Sequence, residues 1–433
     1  MKNETVYKHI AINYNMKKTK NNLEFERQFE RRIIIEDDQF DHIPLQKRFI
    51  DLFCGIGGFH LALAREGFSC VFSCDIDEKC REIYEKNHGI KPHSDITSID
   101  ETQVPDFDVL CAGFPCQPFS TGGNRRGLDD IRGNLFEHIL RIASHKKPSF
   151  MLLENVKNIK TIDNGNTFRH ICSRIQEEGY VMNPSTMLFE LSPHQFGIPQ
   201  LRERVIFVCI RNDKFDHSKH FLHHPPVIPM KSIMEINVDL SRYRISQEIE
   251  DVLQVWDEMI QVINVGTSLS PAILCKEFSK EYTREEWDAI PVWKQQYIIK
   301  NKPLYEKYKV EWNKWYEKHK TILCKRDIYT KLEWQAGKKK ENDSIWNYFI
   351  QLRQSGIRVK KADVFPTLVA IVQTPIYAKE KRYITPRECA RLQSFPDSFL
   401  LHPTDQVAYK QLGNSVNVDV IHYVIQCVCN AYK

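Results

Sequence analysis

Arg48-Phe49-Ile50-Asp51-Leu52-Phe53, Cys54-Gly55-Ile56-Gly57-Gly58 and Phe59–Glu66 follow one another as a short buried strand, a glycine turn and a stretch with apolar residues at helical spacing. The alternation continues: Val71-Phe72-Ser73-Cys74 is a second strand ending in Asp75-Ile76-Asp77, and Glu78–His88 reads as a helix. Strand, helix, strand, helix is the opening of an α/β fold with a doubly wound, mostly parallel sheet, in which ligands sit at the carboxyl ends of the strands. The glycine turn lets a ligand approach the backbone, and an acidic side chain about twenty residues on is placed to take a pair of ribose hydroxyls. The turn is not Gly-x-Gly-x-x-Gly and no pyrophosphate cradle follows it, so an adenosyl group fits better than a dinucleotide. Ser94-Asp95-Ile96-Thr97 puts a further carboxylate at the next strand–loop junction, in reach of an adenine amino group. The competing reading is that Asp75, Asp77 and Asp95 each cap the helix that follows.

Further along, the apolar run Asp108–Ala112 leads into Gly113-Phe114-Pro115-Cys116-Gln117-Pro118-Phe119-Ser120. A strand that stops at a cysteine set between two prolines presents a thiol at its carboxyl end. Alone, Cys116 would read as a small buried hydrophobe; its neighbours favour a nucleophile. The loop Ser120–Gly127 combines three glycines with Arg125 and Arg126, so it can move and grip phosphate. A helix resumes at Asn134–Ile142. Phe150–Leu153 is a strand carrying Glu154-Asn155-Val156 at its end, and Arg202-Glu203-Arg204 opens the strand Val205–Ile210. The two arginines, at alternate positions, point to one face. A Cys, a Glu and an Arg pair thus converge on one edge of the sheet. The competing reading of Glu154 and the arginines is an ordinary ion pair.

The 433 residues suffice for two domains, or for one carrying an insertion. No run approaches a membrane span and the N-terminus has no apolar signal core, so the chain reads as soluble. Thirteen cysteines without paired spacing read as reduced cytosolic thiols, with no disulfide framework and no metal. The net charge is +5, and residues 211–360 alone hold 26 Lys+Arg against 21 Asp+Glu, so the flanking parts sum to neutrality. All seven tryptophans lie in that same region. The break in composition marks a separately packed, basic unit suited to nucleic acid, its tryptophans belonging to a core rather than to base stacking. Before Lys47, Asn22–Ile35 reads as an amphipathic helix in an otherwise polar extension.

Taken together, Phe49–Gly58, Ser94–Thr97, Gly113–Ser120, Arg132–Phe136, Glu154–Val156, Gln200–Arg204, Ile384–Pro396 and Lys410–Val416 resemble, in order, the motifs of the DNA (cytosine-5) methyltransferases of bacterial restriction-modification type. The stretches these blocks mark out, from Phe49 to Val420 around an unmatched middle, cover about half of the chain. The resemblance implies a Rossmann-like S-adenosylmethionine-dependent methyltransferase domain with a smaller target-recognition domain inserted in it. Expected boundaries are 1–47 for an N-terminal extension, 48–211 for the first catalytic and cofactor-binding part, 212–373 for target recognition, 374–404 for a hinge and 405–433 for the returning catalytic part. It implies cofactor contacts at Phe53, Gly55, Gly57, Asp75, Ile76, Asp95, Pro115, Leu135, Asn414 and Ser415. Asp75 departs from the family's usual Glu, so Asp77 is a candidate to share the ribose.

The implied chemistry is covalent. Addition of the Cys116 thiolate at carbon 6 makes carbon 5 of cytosine nucleophilic. Glu154 would hold a proton at ring nitrogen 3, Arg204 would bond the base carbonyl and orient Glu154, and Arg202 would support it or a phosphate. For removal of the carbon-5 proton no side chain announces itself. The target is a flipped base in duplex DNA, with Ser120, Arg125 and Arg126 as contacts. In the basic unit, Gln351–Arg358 reads as a recognition loop in which Arg353 and Gln354 have the chemistry to read bases, and Thr367 as a groove-facing contact. Lys338-Lys339-Lys340 is either a phosphate contact or a solvated run.

Thr385 and Pro386 read as the cap and first position of a hinge helix, and Val418–Ala431 as a helix packing beside the first strand. The compact core implies a cytoplasmic, nucleoid-associated bacterial monomer, paired in function with a restriction endonuclease but forming no stable complex with it. The alternatives are an RNA cytosine-5 methyltransferase of the same fold, although the transfer-RNA members' Cys-Phe-Thr signature does not occur here, and a catalytically silent DNA-binding regulator.

Overall fold

The computed structural model describes residues 46–115, 134–211, 233–269, 272–361, 363–368 and 373–431. Cys116, Ser120, Arg125, Arg126 and the N-terminal helix reading lie outside the described residues. Strands β1 (Arg48–Leu52), β2 (Ser69–Cys74), β3 (Val109–Gly113), β4 (Phe150–Val156), β5 (Tyr180–Val181), β6 (Leu188–Leu191) and β7 (Arg204–Arg211) form one sheet in the order β2-β1-β3-β4-β7-β5, with β6 also on β7. The parallel pairing expected of the sheet holds for β2-β1-β3-β4; β7 runs antiparallel to β4, β5 and β6.

Alternation along the strands sends side chains to two cores. Phe49, Val109, Cys111, Phe150, Leu152, Ile206 and Val208 face helices α1 (Gly58–Ala64), α2 (Glu78–His88) and the C-terminal helix. Ile50, Leu110, Met151, Leu153, Val205 and Phe207 face α3 (Asn134–Lys146) and α4 (Asn166–Glu177). Helices on both faces make the sheet doubly wound, as the strand–helix alternation predicts.

Ser94–Thr97 is not a strand end. His93 makes only an isolated bridge to Cys74, and Asp95 caps a single 3₁₀ turn, so Val109–Gly113 is the third strand.

A second sheet, ordered β13-β12-β10-β11-β9-β8, is built from β8 (Ile273–Leu274), β9 (Lys331–Gln335), β10 (Phe349–Arg353), β11 (Gly356–Lys360), β12 (Ile376–Tyr377) and β13 (Arg382–Tyr383). Its core holds α5 (Gln247–Val262), α6 (Val292–Lys307) and α7 (Lys309–Leu323) around Trp256, Trp312 and Trp315, whose rings meet at 5.1 to 6.4 Å. Trp256, Trp312, Trp315 and Trp334 are buried, as a core reading of the tryptophans requires, whereas Trp293 is exposed. Two strands of this sheet, β12 and β13, lie within the 374–404 segment.

That segment continues into α8 (Pro386–Leu392), where Thr385 and Glu388 form the reciprocal capping box and Pro386 takes the first turn. Glu388 also receives both terminal nitrogens of Arg382 at 2.8 and 2.9 Å, with neither side chain exposed. Helices α9 (Asp405–Asn414) and α10 (Val418–Ala431) return the chain to α1.

Candidate active site

Register builds the candidate catalytic edge. In the parallel β3–β4 pair Gly113 is opposite Glu154, so the chain leaves the sheet beside that carboxylate three residues before Cys116. In the antiparallel β4–β7 pair Glu154 is opposite Ile206 and Val156 opposite Arg204. Arg204 is therefore a diagonal neighbour of Glu154 on the same face, and its Nε lies 2.9 Å from Glu154 Oε1. The Glu154 side chain is 12% exposed. Burial pushes its carboxyl above the usual range, against the charges of Arg204 and Arg202. A carboxyl that is desolvated yet held by a guanidinium is poised to carry a proton.

Arg202 behaves differently. It is 3% exposed and donates to Leu368 O (2.6 Å), Gly413 O (2.8 Å) and Ser415 O (3.0 Å), while its own amide donates to Ser192 Oγ. Burial, then the Arg204 charge, works against its protonated form. Its terminal nitrogens are occupied by three main-chain carbonyls from two separate segments, and it acts on Glu154 through its charge alone. Asn155, which the sequence reading left without a role, is 2% exposed and donates from Nδ2 to Phe114 O at 3.1 Å, pinning the residues that lead to Cys116. Its sequence signal is an amide side chain directly after Glu154 at the end of an otherwise apolar strand.

Of the expected cofactor contacts, Phe53, Gly55, Gly57, Asp75 and Ile76 lie just beyond the ends of β1 and β2. Phe53, Gly55 and Gly57 take positive φ values of 56°, 53° and 91°. A Cβ on Gly57 would fall 2.1 Å from His88 Nε2, and one on Gly58 would meet Val416 Cγ2 at 2.6 Å, whereas space at Gly55 is open. Glycine is needed at 57 and 58 because a histidine ring and the returning C-terminal segment press against the turn. Asp75 accepts from Gly55 N through Oδ2 and from Asp77 N through Oδ1, both at 2.8 Å. Burial raises its carboxyl above the usual range, opposed by those two amides. Asp77 caps α2 and meets Lys410 at 2.8 Å; burial works against its charge, but Lys410 and the Lys79 amide hold it below the usual range. Asp95 caps its own turn through Thr97 N.

Beside Asp75, Ile76 is 76% exposed, an apolar platform next to carboxylates. Pro115 and Asn414 are exposed, Leu135 half-buried and Ser415 buried against the start of α1.

In the second sheet, Gln351–Arg358 is a hairpin with Gln354 and Ser355 at its turn, not a loop. Its residues alternate: Ile350, Leu352, Ile357 and Val359 face the core, which leaves Gln351, Arg353 and Arg358 on the other face. Gln351 is buried and donates to Gln373 O, and Gln354 is exposed. The Thr367 hydroxyl donates to Leu201 O. Lys339 is 5% exposed, with its ammonium on Asp343 O and Lys340 O, so the middle of the lysine run is neither solvated nor free for phosphate.

A sequence model of the family described as C-5 cytosine-specific DNA methylase matches residues 47–429. The chain belongs to this family. The methylase is 32% identical over 377 residues to the Type II methyltransferase M.HhaI of Haemophilus parahaemolyticus, covering 87% of this chain and 92% of the relative. It is 31% identical over 380 residues to the Type II methyltransferase M.HpaII of Haemophilus parainfluenzae, covering 86% of each. In fold it is similar to the S. pombe Dnmt2 methyltransferase, with a TM-score of 0.51 at 22% identity over 89% of this chain and 99% of that one. It is a DNA (cytosine-5) methyltransferase that uses S-adenosylmethionine. The residues fit that cofactor: open space at Gly55, an exposed apolar Ile76 and the half-exposed Asp75 and Asp95 carboxylates offer a backbone approach, a platform for a flat base and acceptors for hydroxyl and amino groups. Among the described residues no helix is long and apolar enough to cross a membrane, and no cluster of side chains suits a metal ion.

Proposed function

We propose that this methylase modifies carbon 5 of a cytosine flipped out of a specific duplex DNA sequence, through a covalent adduct between Cys116 and carbon 6. The observation that carries the reading is the buried Glu154, held by Arg204 at 2.9 Å and opposite Gly113, three residues before Cys116. S-adenosylmethionine supplies an electrophilic methyl group when bound. Phe53, Gly55, Gly57, Asp75, Ile76, Asp95, Pro115, Leu135, Asn414 and Ser415 are its contacts in this reading.

The Cys116 thiolate forms the bond to carbon 6, and the displaced electron pair makes carbon 5 the nucleophile. Glu154 holds the proton at ring nitrogen 3, where negative charge would otherwise appear, and Arg204 fixes Glu154 and faces the base carbonyl. After methyl transfer the carbon-5 proton leaves to a base, and the carbon–sulfur bond breaks to restore the aromatic ring. Arg202 is a positioning residue here, tying the Gly413–Ser415 segment to the catalytic edge. Residues 48–211 and 405–433 form the catalytic domain, 212–373 the recognition domain and 374–404 the hinge after the 1–47 extension. By analogy with the Type II relatives, the biological role is protection of host DNA in a bacterial cytoplasm from a partner endonuclease.

A duplex with 5-fluorocytosine at the target should trap a covalent adduct, because fluorine blocks the last proton removal. Cys116→Ser should lose both the adduct and turnover while still binding S-adenosylmethionine. Full methylation by that variant, or an active protein that forms no adduct by intact mass, would sink the nucleophilic route.

A further inference from the structure

The face of the second sheet turned away from its tryptophan core carries a row of cations with too few anions. Register sets Lys360 opposite Phe349, Arg358 opposite Gln351 and Arg353 opposite Gly356 on β10–β11, with Glu333 of β9 beside Arg358. Three cations against one carboxylate leave a local excess of two positive charges. Arg358 donates from Nε to Glu333 Oε2 at 2.5 Å, and its terminal nitrogens make no hydrogen bond among the described residues. The side chains of Arg353 and Lys360 are half-buried and make no hydrogen bond or ion pair among the described residues. Burial and the Arg358 charge work against the protonated form of both. Cations kept desolvated and unpaired lack an anionic or acceptor-rich partner.

The position of the row says which partner. Phe349, on the same face, lies 3.9 Å ring to ring from Phe365, whose amide bonds Pro199 O just before the Arg202–Arg204 segment. The row thus starts beside the catalytic edge and runs outward along β10. Phe349 to Arg353 spans about 13 Å at strand rise, roughly four steps of a DNA strand, and a two-stranded ribbon fits the major groove.

We infer that Arg358, oriented through Nε by Glu333, presents its free guanidinium nitrogens to O6 and N7 of a guanine in the recognition sequence, while Arg353 and Lys360 take flanking phosphates. The inference rests on the DNA-methylating reading above. A carboxylate that fixes one edge of a guanidinium leaves a rigid fork, and a rigid fork matches a paired acceptor edge better than a lone phosphate oxygen.

The test is methylation of a duplex library randomised around one cytosine, read by bisulfite sequencing, with binding measured across a salt series. Wild-type enzyme should show a preferred guanine at a fixed spacing from the target. Arg358→Ala should cut discrimination at that position roughly 10- to 100-fold and leave other positions intact. Glu333→Gln should cut it partially. Arg353→Ala and Lys360→Ala should weaken every context alike and each lower the salt slope by about one. A preference left unchanged by Arg358→Ala, with or without a uniform loss of affinity, overturns the inference. Should that variant fail to fold, Arg358→Lys keeps the charge without the fork and must show the same loss. A wild-type enzyme that methylates no context would instead reject the proposed function.

Discussion

Replacing Arg202 by Met separates a clamp from a catalytic group. The side chain keeps its bulk, but the carbonyls of Leu368, Gly413 and Ser415 lose the guanidinium, and only Ser415 O keeps a second donor, Gln393 Nε2 at 3.3 Å. Each charge-assisted hydrogen bond to a buried carbonyl is worth about 1.5–3 kcal/mol, a gross loss of roughly 4.5–9 kcal/mol. Against this stands relief of burying a guanidinium whose Nε has no partner, worth several kcal/mol. The net expectation is destabilisation by about 3 kcal/mol. Two of the three carbonyls belong to the segment around Asn414 and Ser415, so the functional loss should fall on the cofactor: KM for S-adenosylmethionine rises at least tenfold while kcat at saturating cofactor stays within about threefold. Denaturant unfolding with and without cofactor, alongside initial rates, reads both quantities. An unchanged unfolding midpoint with a collapsed kcat would refute the clamp and return Arg202 to the chemistry.

Two further outcomes follow from the turn at Gly57. Gly57→Ala places a methyl 2.1 Å from His88 Nε2 at a φ of 91°, and should cost at least about 1–3 kcal/mol with a matching fall in cofactor affinity, measured by thermal unfolding and calorimetric titration. His60, stacked on His88 at 3.9 Å, has its pKa lowered to about 3 by burial and then by His88. A base whose folded pKa lies below its unfolded value stabilises the fold above the unfolded pKa and loses that contribution as pH falls from about 6.5 towards 3. Unfolding midpoints should therefore drop across that window, and His60→Gln should flatten the drop; an equal drop in the variant would count against His60.

How far the sequence could be read depended on how local the determinant was. The strand–turn–helix at Arg48–Ala64 and the capping box at Thr385–Glu388 are written within a few residues, and both form as read. Gln351–Arg358 reads as a loop because five of its eight residues are polar. The period-two alternation of Ile350, Leu352, Ile357 and Val359 was nonetheless present, and it makes the segment a hairpin with one cationic face. Lys339 was unreadable: its burial depends on carbonyls that only the folded turn brings to it.

The contrast between Arg202 and Arg204 shows the same division at the site. Their spacing suggests one face and one task, but β7 begins at Arg204. From there onward a side chain's position is dictated by sheet register, which delivers Arg204 to Glu154 across β4. Two residues earlier the chain is outside the ladder, and its neighbours are whatever the distant segments at 368 and 413–415 bring back. Arg204 could be placed from local pattern plus strand pairing; Arg202 needed the return path of the C-terminal part. The proposed catalytic edge is thus a product of register, while its coupling to the glycine turn is a product of chain topology. A mutation in β4 or β7 should move the chemistry, and one at Arg202 or Gly58 should move the cofactor.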